Sequence, residues 1–88
     1  MLQIEYSNAF KKDLKLLRKR GKDINKFKTV ADFLINEQPL PQKYRDHSLL
    51  GNYIKHREFY IEPDWLLIYR VIDGTIIFEK TGTHSDLF

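Results

Sequence analysis

HREFYIEPDWLLIYRVIDGTIIFEKTGT, residues 56–83, holds two turn signals between three strand-like runs. NYIKHREFYIE (52–62) alternates: Arg57, Phe59 and Ile61 fall on one side of an extended chain. His56, Glu58, Tyr60 and Glu62 fall on the other, the period of a strand with one buried face. Pro63-Asp64 follows, with proline pre-set for the second position of a tight turn. WLLIYRVI (65–72) is apolar on both faces and predicts a buried central strand. Asp73-Gly74 is the strongest hairpin signal in the chain, and TIIFEKTGT (75–83) predicts the returning strand.

Upstream, LQIEY (2–6) alternates and predicts a short strand. Ser7 or Asn8 can cap a helix by accepting a backbone N–H bond. Phe10, Leu14 and Leu17 then form one apolar stripe at helical spacing. Gly21 stops this helix, and Arg18, Lys19 and Arg20 suit its C-terminal dipole. A second helix is predicted from Lys22 to Asn36, with Ile24, Phe27, Val30, Ala31 and Leu34 as its stripe. So short a connection makes a helical hairpin that can lie on a sheet. Pro39 and Pro41 end it, and residues 38–51 show no regular period. Such long loops are often functional. The order β-α-α-β-β-β predicts an α+β domain over 1–88, an N-terminal strand and helical hairpin packed on a mostly antiparallel sheet.

Eighty-eight residues, 42% of them hydrophobic, suffice for one core. The absence of cysteine rules out disulfides and thiolate metal sites and fits a reducing cytosol. The N-terminus lacks a signal-peptide pattern. The longest apolar run, WLLIY (65–69), falls far short of the roughly 20 residues of a membrane span, so a soluble protein is expected. The net charge of +3 is unevenly placed. Residues 11–28 carry nine Lys/Arg against Asp13 and Asp23, a local +7, which leaves −4 elsewhere. A solvated helix face and an electrostatic footprint for nucleic acid both fit that charge, which alone does not choose.

Three places can carry chemistry. His47 lies in the loop sequence RDHSLLG, Asp64 and Trp65 in the turn EPDW, and His84 just past the last strand. In a meander the strand leaving the 63–64 turn reverses at 73–74, so the end of the last strand returns beside Asp64. A loop as long as 38–51 can bring His47 to the same edge. The commonplace alternatives are a surface histidine, a turn-forming aspartate and a core tryptophan. His56, inside a strand between Lys55 and Arg57, reads as such a surface histidine. No HxxxH or HxH spacing occurs, and neither a metal nor another cofactor is expected. Nor is there a glycine-rich phosphate loop or a GxSxG nucleophile motif.

DHSLLG (46–51), HREFYIEPDWLLIYR (56–70) and TGTHSDLF (81–88), in that order and spacing, resemble the YafQ branch of the RelE/ParE toxin superfamily. The resemblance covers essentially the whole chain. It implies a RelE-like fold akin to small microbial ribonucleases, and the toxin half of a type II toxin–antitoxin pair. It further implies ribosome-dependent cleavage of mRNA in the A site by 2′-OH attack, which inhibits translation in the cytoplasm. His84 matches the family's proton donor. His47 and Asp64 match a catalytic histidine and aspartate, one of which serves as base or orients it, with His47 favoured. Arg57 is placed to stabilise the phosphorane, and Trp65 and Phe88 to stack on mRNA bases. Tyr60 stands where the family often has a further histidine. An unperturbed tyrosine, with a pKa of about 10, is a poor base at neutral pH, so Tyr60 is expected to donate a hydrogen bond or stack.

The same resemblance turns Lys11, Lys12, Lys15 and Lys19 into a grip on ribosomal RNA. It implies an acidic antitoxin of the DinJ/RelB type, in a heterotetramer or larger complex that can bind operator DNA. Two alternatives stay open: a ParE-like inhibitor of gyrase, and an inactive member kept for binding its antitoxin.

Overall fold

A computed structural model describes residues 1–49 and 55–88. The elements are β1 (Gln3–Tyr6), α1 (Asn8–Lys19), α2 (Ile24–Ile35), a 3₁₀ turn (Gln42–Tyr44), β2 (His47–Ser48), β3 (Arg57–Glu62), β4 (Trp65–Ile72), β5 (Thr75–Gly82) and α3 (His84–Leu87). One five-stranded sheet has the order β1-β5-β4-β3-β2. β1 runs parallel to β5, and every other pairing is antiparallel.

Local chemistry sets the helix starts. The Ser7 hydroxyl accepts from the Phe10 N–H (2.9 Å) and donates to the Glu79 carbonyl (2.6 Å), capping α1 and tying it to β5. Asp23 caps α2 by accepting from the Asn25 N–H (3.0 Å), so that helix begins two residues later than Lys22. Phe10, Leu17, Phe27, Val30 and Ala31 bury their stripe against Phe59, Leu67, Tyr69, Ile76 and Phe78 of the sheet. The rings of Phe10, Phe27 and Phe78 meet at centroid distances of 5.3–5.6 Å, contacts worth about 0.5–1.5 kcal/mol per pair beyond area burial. Among the described residues no helix is long and apolar enough to cross a membrane.

The opposite face of the sheet carries a smaller apolar cluster: Leu66, Ile68 and Leu87, with Leu49 and Tyr60 against it. Two elements there differ from the sequence reading. The predicted loop 38–51 contains the 3₁₀ turn and β2, which pairs with β3 as a sheet edge. The chain beyond Gly82 is not a bare tail but one helical turn, α3, closed by a reciprocal capping box between Thr83 and Asp86. The predicted strand at 52–62 begins at Arg57, and residues 52–54 lie outside the described residues. Within β3 a bulge between Tyr60 and Glu62 breaks the alternation. It turns Glu62 towards α2, where Lys22 (3.1 Å) and Lys26 (2.7 Å) meet it, rather than leaving it beside Tyr60.

Candidate active site on the open face of the sheet

Pleating decides what shares the open face. His47 pairs with Glu58, Glu58 with Ile68, and Ile68 with Lys80, so these four form one cross-strand row on one side of the sheet. Tyr60, Leu66 and Gly82 form the next row. α3 sits at the end of that second row and presents His84.

The convergence of Asp64 and His84 expected from hairpin geometry is present. Asp64 Oδ1 accepts from the His84 backbone N–H (3.0 Å) and lies 2.7 Å from His84 Nδ1. A carboxylate only accepts, so Nδ1 carries the proton of that bond and Nε2 is left for chemistry. The backbone N–H and then the side chain of His84 hold the Asp64 carboxyl below its ordinary value. The Tyr60 ring stands between the two imidazoles, 5.8 Å from His84 and 6.1 Å from His47 between centroids.

His47 is fixed from the other side. Its Nδ1 is 2.5 Å from the Arg45 carbonyl, which can only accept, so Nε2 is again the open nitrogen. That carbonyl is aimed by Arg45 itself, whose backbone is left-handed (φ 52°). His47 Nε2 lies 3.7 Å from Glu58 Oε1. Glu58 is 3% exposed. Burial pushes its carboxyl up, while His47 and His84 pull it down. A buried carboxylate flanked by two histidines is a functional-site signature that the sequence reading did not single out. Its signal was present, because the alternation placed Glu58 on the Tyr60 side. Lys80, in the same row, was also missed.

Two predicted contacts with RNA need correction. Trp65 is 0% exposed, and its Nε1–H donates to Thr81 Oγ1 (2.9 Å), which donates to the Leu66 carbonyl (2.7 Å). It pairs with Glu62 and joins the helix-side core, so it has no face to offer a base. Arg57 sits opposite Tyr69 and Ser48 in register, on the helix side of the sheet. It donates to Asp46 Oδ1 (3.1 Å) and Ser48 Oγ (3.0 Å), and Tyr69 Oη donates to the same Asp46 oxygen (2.9 Å). Arg57 therefore braces the segment that carries His47 and does not face the histidines. His56, read as a surface histidine, is mostly buried on the open side, its Nε2 3.3 Å from Glu79 Oε2.

Phe88 is 64% exposed just past α3, its N–H donating to the His84 carbonyl (2.8 Å). Lys11, Lys12, Lys15 and Lys19 are exposed on α1, across the sheet from the histidines. Arg20 links the two regions by an ion pair with Asp86 of α3 (2.8 Å).

Known proteins resemble this chain over its whole length. The mRNA interferase toxin YafQ of Escherichia coli K12 is 50% identical over 86 residues, 97% of this chain and 94% of that protein. The crystal structure of YafQ from E. coli BL21(DE3) superposes with a TM-score of 0.94 at 47% identity, covering 100% of this chain and 99% of that one. The E. coli DinJ–YafQ toxin–antitoxin complex matches with a TM-score of 0.91 at 48% identity, with the same coverage. The model of the YafQ family matches residues 2–88, and the chain belongs to this family of bacterial toxins of type II toxin–antitoxin systems.

Proposed function

We propose that this single-domain chain is a ribosome-dependent endoribonuclease that cuts mRNA in the A site and so inhibits translation in the cytoplasm. One observation carries the reading. Two histidines, each held through Nδ1 by a different acceptor, leave both Nε2 atoms open on one face, beside a buried carboxylate. The mRNA interferase name of the E. coli relative supports the substrate class.

RNA brings its own nucleophile. His47 Nε2 takes the proton of the 2′-OH, and Glu58, 3.7 Å away, stabilises the imidazolium that results. The 2′-oxygen bonds to phosphorus, and the P–O5′ bond breaks. His84 gives its Nε2 proton to the departing 5′-oxygen while Asp64 holds Nδ1–H. The products are a 2′,3′-cyclic phosphate and a 5′-OH. Asp64 thus orients the acid rather than serving as the base. With Arg57 turned away, Lys80 in the His47–Glu58 row is the cation for the phosphorane. Tyr60 donates to a phosphate oxygen, and Phe88 stacks on a base, worth about 1–3 kcal/mol.

The partner is an acidic antitoxin of the DinJ type, as the E. coli complex supports; the positive charge of the basic helices is what would draw it. Primer extension on mRNA in a translating extract, with and without ribosomes, tests the activity. Cuts are expected only with ribosomes. Intact mRNA together with loss of DNA supercoiling by gyrase would replace this reading with the ParE-like one.

A further inference from the structure

Beyond β3, between α2 and the 3₁₀ turn, lies a cleft of about 610 Å³. Lys26, Lys43, Tyr44, Arg45, Glu62 and His84 are among the residues lining it. Its volume falls within the range of small-ligand sites. Glu62 in its wall is neutralised by Lys22 (3.1 Å) and Lys26 (2.7 Å), and those bonds hold its carboxyl low. Lys43 and Arg45 are both exposed on the 3₁₀-turn side of the cleft. Lys43 Nζ sits over the Tyr44 ring, 5.1 Å from its centre, so the wall offers a cation–aromatic pair with Arg45 next in sequence. That is the chemistry of a nucleotide: a base to stack and a phosphate to neutralise.

The lining also gives a direction. His84 forms part of the wall, whereas His47 and Glu58 do not. In the cleavage proposed above, on which this inference rests, His84 protonates the 5′-oxygen that leaves. We propose that the cleft is the subsite for the nucleotide 3′ of the scissile bond. Its 5′-oxygen faces His84, its base lies against the exposed edge of the Lys43–Tyr44 pair, and its own 3′-phosphate is gripped by Lys43 and Arg45. Arg45 then serves twice: its carbonyl fixes the tautomer of His47, and its guanidinium positions the leaving nucleoside. Its left-handed backbone is the kind of constraint that functional sites hold in place.

The test is an NMR titration of the ¹⁵N-labelled chain with adenosine 3′-monophosphate and, separately, adenosine 5′-monophosphate. The 3′ isomer mimics the product in the cleft and is expected to shift the amides of residues 43–45 and of His84. Lys43→Gln/Arg45→Gln is expected to weaken the 3′ isomer by about tenfold or more, the size of a lost charge-assisted bond, and the 5′ isomer by less. In single-turnover cleavage the same variant should raise the half-saturating concentration more than it lowers the saturated rate. Shifts of the 3′ isomer that map away from the cleft would overturn the subsite, as would equal weakening of both isomers or no weakening at all. The titration needs no turnover. A wild-type chain that binds the 3′ isomer as described yet cuts no mRNA would therefore sink the nuclease reading and leave the nucleotide site standing.

Discussion

Glu58 shows what a single buried charge costs and what it supplies. Its carboxyl is raised by burial, so the folded state binds its proton more tightly than the unfolded chain does. Stability linked to Glu58 is therefore present below its unfolded pKa and falls as pH rises towards the folded value. Glu58→Gln should make the chain more resistant to heat at neutral pH than wild type, yet slower in single-turnover cleavage. Thermal melts across pH, run beside the cleavage assay, check both; a less stable or fully active variant would contradict the assignment. Trp65→Phe probes the opposite case. It removes the bond to Thr81, and should cost about 1 kcal/mol of stability by denaturant titration while leaving ribosome affinity unchanged. These two residues also mark where reading the sequence stops. Alternation placed Glu58 beside Tyr60, but a charged residue in a half-buried strand reads as solvent-facing. It is buried because strand pairing sets it between His47 of β2 and Ile68 of β4, a tertiary fact with no local signal. Trp65 opens a strand that is apolar on both faces, so its period could not say which way the ring points.

The elements that place the histidines are the shortest ones. α3 is a single turn, held by the Thr83–Asp86 capping box and by Arg20. Arg20 and Thr83 hold the Asp86 carboxyl down to about 2. A carboxyl held low stabilises the fold above its unfolded pKa, and that contribution is lost as pH falls towards 2. Thr83→Ala should cost about 0.5–2 kcal/mol, the range for a lost N-cap. Gly82 adds a steric condition: a Cβ there would stand 2.8 Å from Asp86 Cβ. Gly82→Ala should push α3 away, so that cleavage falls although the core on the helix side stays folded; amide hydrogen exchange localised to residues 82–88 would show it. Exchange accelerated throughout the sheet would point to global destabilisation instead. The long elements were legible in the sequence, because α1, α2, β4 and β5 each hold several periods of apolar spacing between strong stop signals. α3 and β2 were not, since four and two residues carry no period. Only the Thr83…Asp86 spacing could have revealed α3.

Across the molecule the sheet separates two chemically different surfaces. The helices cover one face and carry the local +7 of residues 11–28, while the open face carries His47, Glu58, Tyr60 and His84. If the helix lysines grip ribosomal RNA, ribosome affinity should fall steeply with ionic strength, with a slope set by the number of phosphates neutralised. Lys11→Ala/Lys12→Ala/Lys15→Ala should flatten that slope and weaken binding alike at every codon. An affinity indifferent to salt would remove the helices from the interface. In the proposed mechanism the open face moves protons, with His84 giving one to the leaving 5′-oxygen. General acid catalysis contributes about 10²–10⁴-fold, and His84→Ala should lose cleavage of ordinary mRNA by that factor. The direct measurement is single-turnover cleavage, on programmed ribosomes, of an mRNA whose scissile 5′-oxygen is replaced by sulfur. A thiolate leaves without a proton, so the defect of His84→Ala should shrink to within a few-fold of wild type on that substrate. The same large defect on both substrates would show that His84 is not the acid.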